Sequence, residues 1–200
     1  MFALVESGSI TKFLNGNRGI TLNDLQYPRA IYTLWTEAER NAIGIYTVEY
    51  DDSNKKDEQW YINTNQSYTF ADNKVTASYG SATAKKHADT LYTQEDEDNG
   101  LGTKDDVKVE GLKTRLIRDV KTQAEVELNR TDWYITRKSE KNTAIPSAIT
   151  THRDLVRSRQ AAMETSITNA SDTPALETLY TYTTDSDGVT SRPLALIPTL

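Results

Sequence analysis

Asn129-Arg130-Thr131-Asp132-Trp133-Tyr134-Ile135-Thr136-Arg137 lies between two segments of helical period, and its reading decides the architecture of the C-terminal half. Upstream, Val109, Leu112, Leu116, Val120, Ala124 and Leu128 recur at steps of three and four, one apolar stripe about 30 Å long. Gly111 weakens the first turn by about 1 kcal/mol relative to Ala, so the helix is expected to begin in earnest after it. Downstream, Pro146 suits a first helical turn, and Ile149, Val156, Met163 and Ile167 form a second stripe that Gln160 interrupts. Each helix has one narrow apolar face and a charged remainder. They must therefore pack on each other, on copies of themselves or on another protein. The segment between them reads as a connector. Its Trp133 and Tyr134 either plug the open end of the helix pair, the favoured reading, or anchor a partner.

The N-terminal half has a different period. Phe2-Ala3-Leu4-Val5 and Ile10-Thr11-Lys12-Phe13-Leu14 flank Ser7-Gly8-Ser9, the spacing of a hairpin. Thr36 is placed to cap a short helix with Glu39 reaching back to it, and Gly44 supplies the left-handed stop. Strands are expected over Ile45–Tyr50 and Gln59–Asn63, then over Ser67–Phe70 and Val75–Tyr79 on either side of an Asp72-Asn73-Lys74 turn. Alternation of aromatic and β-branched residues with polar ones suits a half-exposed antiparallel sheet. Residues 81–92 stay ambiguous, with alanines that would allow a short helix.

Four consecutive acids, Glu95 to Asp98, followed by Gly100 and Gly102 read as a solvated linker; they lack the alternating ligands and distal Glu of a calcium loop. The tail returns to β-like residues at Leu179–Thr183. It closes on Arg192-Pro193-Leu194-Ala195-Leu196-Ile197-Pro198, an apolar run expected to dock on its own sheet or on a neighbour. The fold class is thus α+β. A small antiparallel β-rich N-terminal domain with one short helix (1–93) precedes the acidic linker (94–104), a two-helix hairpin (105–170) and an extended segment (171–200).

Composition narrows the function. A hydrophobic fraction of 36% over 200 residues implies small cores and much surface. A net charge of −6 gives little drive toward nucleic acid or acidic membranes. The absence of cysteine removes disulfides and thiolate chemistry. Neither a signal peptide nor a membrane span is expected.

The catalytic inventory is thin. His152 on the flank of the second helix reads as a packing or capping residue, and the pairs Glu37 with Glu39 and Glu125 with Glu127 read as solvated charges and caps. No nucleophile elbow, phosphate-cradling loop or HExxH pattern occurs. The chain is expected to be no enzyme and to hold no metal or cofactor. Arg153 and Arg157, one turn apart, suit either an acidic partner or, for Arg157, the favoured i,i+3 pairing with Asp154.

With Thr131-Asp132-Trp133, Arg153-Asp154-Leu155-Val156-Arg157 and their spacing in view, residues 112–167 resemble the helical segment of tailed-bacteriophage tail proteins of the tail-assembly-chaperone and tail-fibre-assembly type. In those families a helix ends in a Thr or Ser-Asp-Trp step. Here His152-Arg153 stands where an aromatic-Arg pair is common, and the family's Pro-Asp step and second Trp are missing. Leu4-Val5-Glu6-Ser7-Gly8-Ser9-Ile10 and the Pro28, Trp35, Glu39, Gly44-Ile45-Tyr46 pattern are similar to the opening β-rich module of such proteins.

The resemblance implies a non-enzymatic structural component of the virion tail, at the baseplate or fibre attachment, made in the host bacterial cytoplasm. Its partners would be other tail, baseplate or fibre proteins, and the apolar stripes are also compatible with a homo-oligomer. An assembly chaperone that leaves the particle is the alternative. A glycan-binding fibre module, suggested by Trp60, Tyr61, Tyr68 and Tyr79, is a third. The interface candidates are Trp133, Tyr134, Arg153, Arg157, Leu194, Leu196 and Ile197.

Overall fold

A computed structural model describes residues 1–200, an α+β chain in two compact units, Met1–Thr83 and Ala84–Leu200. In the first unit β1 (Phe2–Glu6) and β2 (Ser9–Leu14) form the expected hairpin. Ser7 and Gly8 both turn with positive φ, the conformation that matches strand twist in a tight hairpin. A second, unforeseen hairpin joins β3 (Ile20–Leu22) to β4 (Leu25–Tyr27) through Asn23 and Asp24, also at positive φ. Such Asn and Asp positions tolerate that region better than other side chains do.

Two short helices follow, α1 (Ile31–Leu34) and α2 (Glu37–Ala42). The Thr36 capping box forms as the sequence implies: the Thr36 amide donates to Glu39 Oε2 at 2.7 Å and the Glu39 amide donates to the Thr36 hydroxyl at 3.3 Å. Gly44 stops the turn at φ +80, where a Cβ would stand 2.7 Å from the Val5 carbonyl. The chain then enters β5 (Ile45–Asp51), antiparallel to β1 with Ala3 opposite Tyr46.

The expected strand over 59–63 shrinks to β6 (Tyr61–Ile62). β7 (Ser67–Ala71) and β8 (Lys74–Ser78) make the expected hairpin through Asp72 and Asn73. The sheet order is β2-β1-β5-β8-β7, and β8 lies parallel to β5, with Val48 opposite Val75. A purely antiparallel sheet is therefore corrected to a mixed one. The long connection between residues 52 and 66 carries the chain past β5, so that the second strand of the β7–β8 hairpin is the one that pairs with it.

Alternation serves both faces. Leu4, Leu14, Ile31, Tyr32 and Ile45 form one core with Trp35 and Ile43 against it, while Ala3, Val48, Val75 and Ala77 form the other. The sheet curls until Phe13 of β2 and Tyr68 of β7 bring their rings to 4.5 Å. Residues 81–92 make no helix. They give β9 (Thr83–Ala84), which pairs with β6 where the first unit ends, and β10 (Thr90–Leu91).

In the second unit the acidic stretch is no linker. Residues 94–98 form α3 (Gln94–Asp98), whose Thr93 hydroxyl and Asp96 carboxylate build a capping box. Lys108 on β11 (Val107–Val109) holds Asp96 at 2.6 Å, and β11 pairs with β10. The helix begins after Gly111, as expected, at α4 (Leu112–Asn129), so Val109 at the head of the stripe belongs to β11 instead. There Asp89 Oδ1 accepts the Gly111 amide at 2.6 Å, Oδ2 accepts the Thr114 hydroxyl at 2.8 Å, and Lys86 and His87 offer carbonyls to the next two amides.

The supposed connector is itself a helix, α5 (Asp132–Lys141), ended by Asn142 in the left-handed region. After it come α6 (Ser147–Asn169) and α7 (Thr173–Tyr180). The expected extended segment at 171–200 is thus helical at its start. Asp172 accepts the Ala175 amide at 2.8 Å and Pro174 stands in the first turn, a start signal stronger than the β-like residues after it. A small hairpin, β12 (Thr183–Thr184) with β13 (Thr190–Ser191), precedes the apolar end. No helix is long and apolar enough to cross a membrane.

Two consequences are measurable. Gly44→Ala places a Cβ against the Val5 carbonyl at positive φ and is expected to cost about 2 kcal/mol in urea unfolding, whereas Gly8→Ala, with open space around its Cβ, loses less; equal effects would contradict the close approach. At α3, hydrogen bonds from the Lys108 ammonium and from the Thr93 amide and hydroxyl lower the Asp96 carboxyl from 3.8 to about 2. Because the folded value lies below the unfolded one, this cap contributes fully above about pH 4 and is lost as pH falls through about 2. NMR titration of the Asp96 carboxyl should show that midpoint, and Lys108→Met should raise it.

Candidate partner interface on the helical unit

α4 and α6 pack through the stripes read from the sequence. Leu112, Leu116, Val120 and Ala124 are buried on one helix, and Ile149, Val156, Met163 and Ile167 on the other. Toward the C-terminal end of α4 the interface turns polar. Arg153 occupies the position between Ile149 and Val156 on the α6 stripe, only 8% exposed. Its Nη1 donates to the Leu128 carbonyl at 2.8 Å, to the Thr131 hydroxyl at 2.7 Å and to Asp132 Oδ1 at 2.8 Å.

These three oxygens explain the break between α4 and α5. The Thr131 backbone departs from helical geometry at φ −116, with its amide on the Leu128 carbonyl at 3.0 Å, and its hydroxyl donates to the same carbonyl at 2.9 Å. The guanidinium sits among α4's last carbonyls, where a cation complements the helix dipole. Asp132 at the first turn of α5 satisfies the opposite preference and meets the same cation.

Glu127 completes the network. It reads as solvated in the sequence yet is 3% exposed. One oxygen meets His152 Nε2 at 3.0 Å and accepts the Leu200 amide at 2.8 Å, and the other lies 3.3 Å from Arg130. A buried carboxylate is tolerated because each oxygen has a partner. His152 has the packing role expected of it.

With the end of the helix pair filled by this network, Trp133 has nothing to plug. It is 50% exposed, and α5 contains no buried residue. Its indole stacks on Tyr134 with centroids 3.8 Å apart. Arg137, one turn on, lies 4.9 Å from the Trp133 ring and 5.7 Å from the Tyr134 ring. The Arg137 Nε is shielded from solvent and has no acceptor.

The other candidates separate cleanly. Arg153 and Leu194 face inward and are corrected from interface residues to internal ones. Leu194 is buried and its amide donates to the Leu179 carbonyl at 2.9 Å, so the apolar tail docks back on its own unit. Ile197 is half-buried and Leu196 exposed. Arg157 is exposed and makes the favoured pair with Asp154 at 3.3 Å. Of the aromatics that suggested glycan binding, Trp60 and Tyr61 are buried, while Tyr68 and Tyr79 are half-buried. Arg137 was given no role in the sequence, although its i+4 spacing from Trp133 is the signal that places both on one face.

The chain matches no protein-family model, no curated protein and no solved structure.

Removing the clamp should be costly and removing its neighbour cheap. Arg153→Ala leaves the buried Thr131 hydroxyl without its donor and is expected to destabilise the helical unit by about 3 kcal/mol. Arg157→Ala should stay within about 0.5 kcal/mol. Urea unfolding followed by circular dichroism compares them, and similar midpoints would contradict the buried role of Arg153.

Proposed function

We propose that the chain is a structural component of a bacteriophage tail, at the baseplate or fibre attachment. It works without catalysis, through contacts with other tail, baseplate or fibre proteins, and resides in the virion after synthesis in the host bacterial cytoplasm. The observation that carries this reading is the Trp133, Tyr134 and Arg137 cluster, displayed on a helix that its own unit leaves uncovered. Trp, Tyr and Arg are the residue types that dominate binding energy at protein interfaces.

The resemblance to tail-assembly and fibre-assembly families supports the same reading. The Thr131-Asp132 step and Arg153, which carry much of that resemblance, are bonded to each other here. Their joint task is to set where α5 begins and so to turn Trp133 outward. The motif then has a physical content suited to docking.

Mass spectrometry of purified virions is the deciding experiment. Stoichiometric copies are expected. Absence from particles, with the chain found instead on a tail or fibre subunit in infected cells, would contradict a virion role and assign it to assembly. For the partner so identified, Trp133→Ala and Arg137→Ala should each weaken binding at least about tenfold, as loss of an interface anchor does; unchanged affinity would remove α5 from the interface.

A further inference from the structure

Residues 130–141 hold Arg130, Arg137, Lys138 and Lys141 against Asp132 and Glu140, and Asp132 is already engaged by Arg153. Trp133 and Ile135 are exposed among these bases. Residues 94–110 are the converse. Seven acids stand against two lysines, nearly the whole of the chain's net charge of −6, and Leu101, Val107 and Val109 are exposed among them. Both surfaces combine apolar area with one dominant sign of charge.

Their placement within the helical unit keeps them apart. α3 is tied to β11 by the Asp96–Lys108 pair, and β11 leads directly into the N-terminus of α4. α5 starts beyond the opposite end of α4, 18 residues away along the helix. That is about 27 Å at the usual rise per residue, several times the roughly 8 Å screening length at physiological salt.

We infer that a second copy of this chain is what covers α5, with its residues 94–110 seated on the face formed by Trp133, Tyr134 and Arg137. This rests on reading α5 as a docking helix and names its occupant. Charge complementarity orients the contact. A carboxylate from Glu97 or Asp98 of the neighbouring copy meets the Arg137 guanidinium beside the aromatic stack. Within their own copy these two acids meet the Gln94 side-chain amide, at 3.1 and 3.0 Å, and they stand at the C-terminal end of α3, where negative charge does not favour a helix. The contact uses different surfaces on the two copies. Repetition therefore builds a ring or an open filament rather than a two-fold dimer.

Sedimentation velocity of the full chain at low and high salt tests this, with circular dichroism confirming that each variant is folded. The wild type should assemble at low salt and dissociate at high salt. Lys138→Glu with Lys141→Glu, which leaves the aromatic stack intact, and Glu97→Lys with Asp98→Lys should each reduce association at least tenfold. Mixing the two reversed chains should restore it. A wild type that stays monomeric at low salt, or assembly that survives either reversal, overturns the inference. A monomeric chain that still loses a tail or fibre subunit on Arg137→Ala also overturns it, while leaving the docking role of α5 in place.

Discussion

The Arg153 guanidinium is taken out of water between α6, the end of α4 and the first turn of α5, and it stays there because three oxygens converge on one of its nitrogens. Burying a charge costs several kcal/mol unless its partners are well placed. Here they are positioned by the break in the chain that the cation itself stabilises. Thr131 leaves the helical geometry of α4 at φ −116, its amide meets the Leu128 carbonyl at 3.0 Å, and its hydroxyl joins that carbonyl to Arg153. The direction in which α5 leaves, and with it the exposure of Trp133, follows from that one site. Polar residues at core positions of packed helices commonly set register in this way.

Much of this was legible beforehand, for definite reasons. The i+4 stripes on α4 and α6 were read because packing between two helices repeats the same constraint every turn. The Thr36 box, the Ser7-Gly8 and Asp72-Asn73 turns and the Gly44 stop were read because local chemistry determines them. The β5–β8 pairing was not. Parallel neighbours are chosen by the path of a long connection, and no residue of either strand records it.

The misread residues share a physical cause. Glu127 and Arg153 looked like surface charges because composition speaks for solvent, yet Arg153 keeps the α6 stripe in step between Ile149 and Val156. Spacing was the better guide there than polarity. α3 looked like a linker because four adjacent acids repel one another, but the Thr93 cap and Lys108 offset that repulsion. At α7 the β-like residues were outweighed by Asp172 and Pro174 at its start. Trp133 and Tyr134 were expected to plug the end of the helix pair, but that space is occupied by the polar network and Trp133 is exposed.

Hydrogen–deuterium exchange across residues 112–169 in the wild type and in Arg153→Met tests the clamp most directly, because methionine fills the space of the side-chain stem without offering a donor. Amides of 131–141 should lose protection in the variant while those around Val120 and Met163, in the apolar part of the α4–α6 interface, keep theirs. Unchanged protection through α5 would contradict the dependence of that helix, and of the surface it carries, on the buried guanidinium.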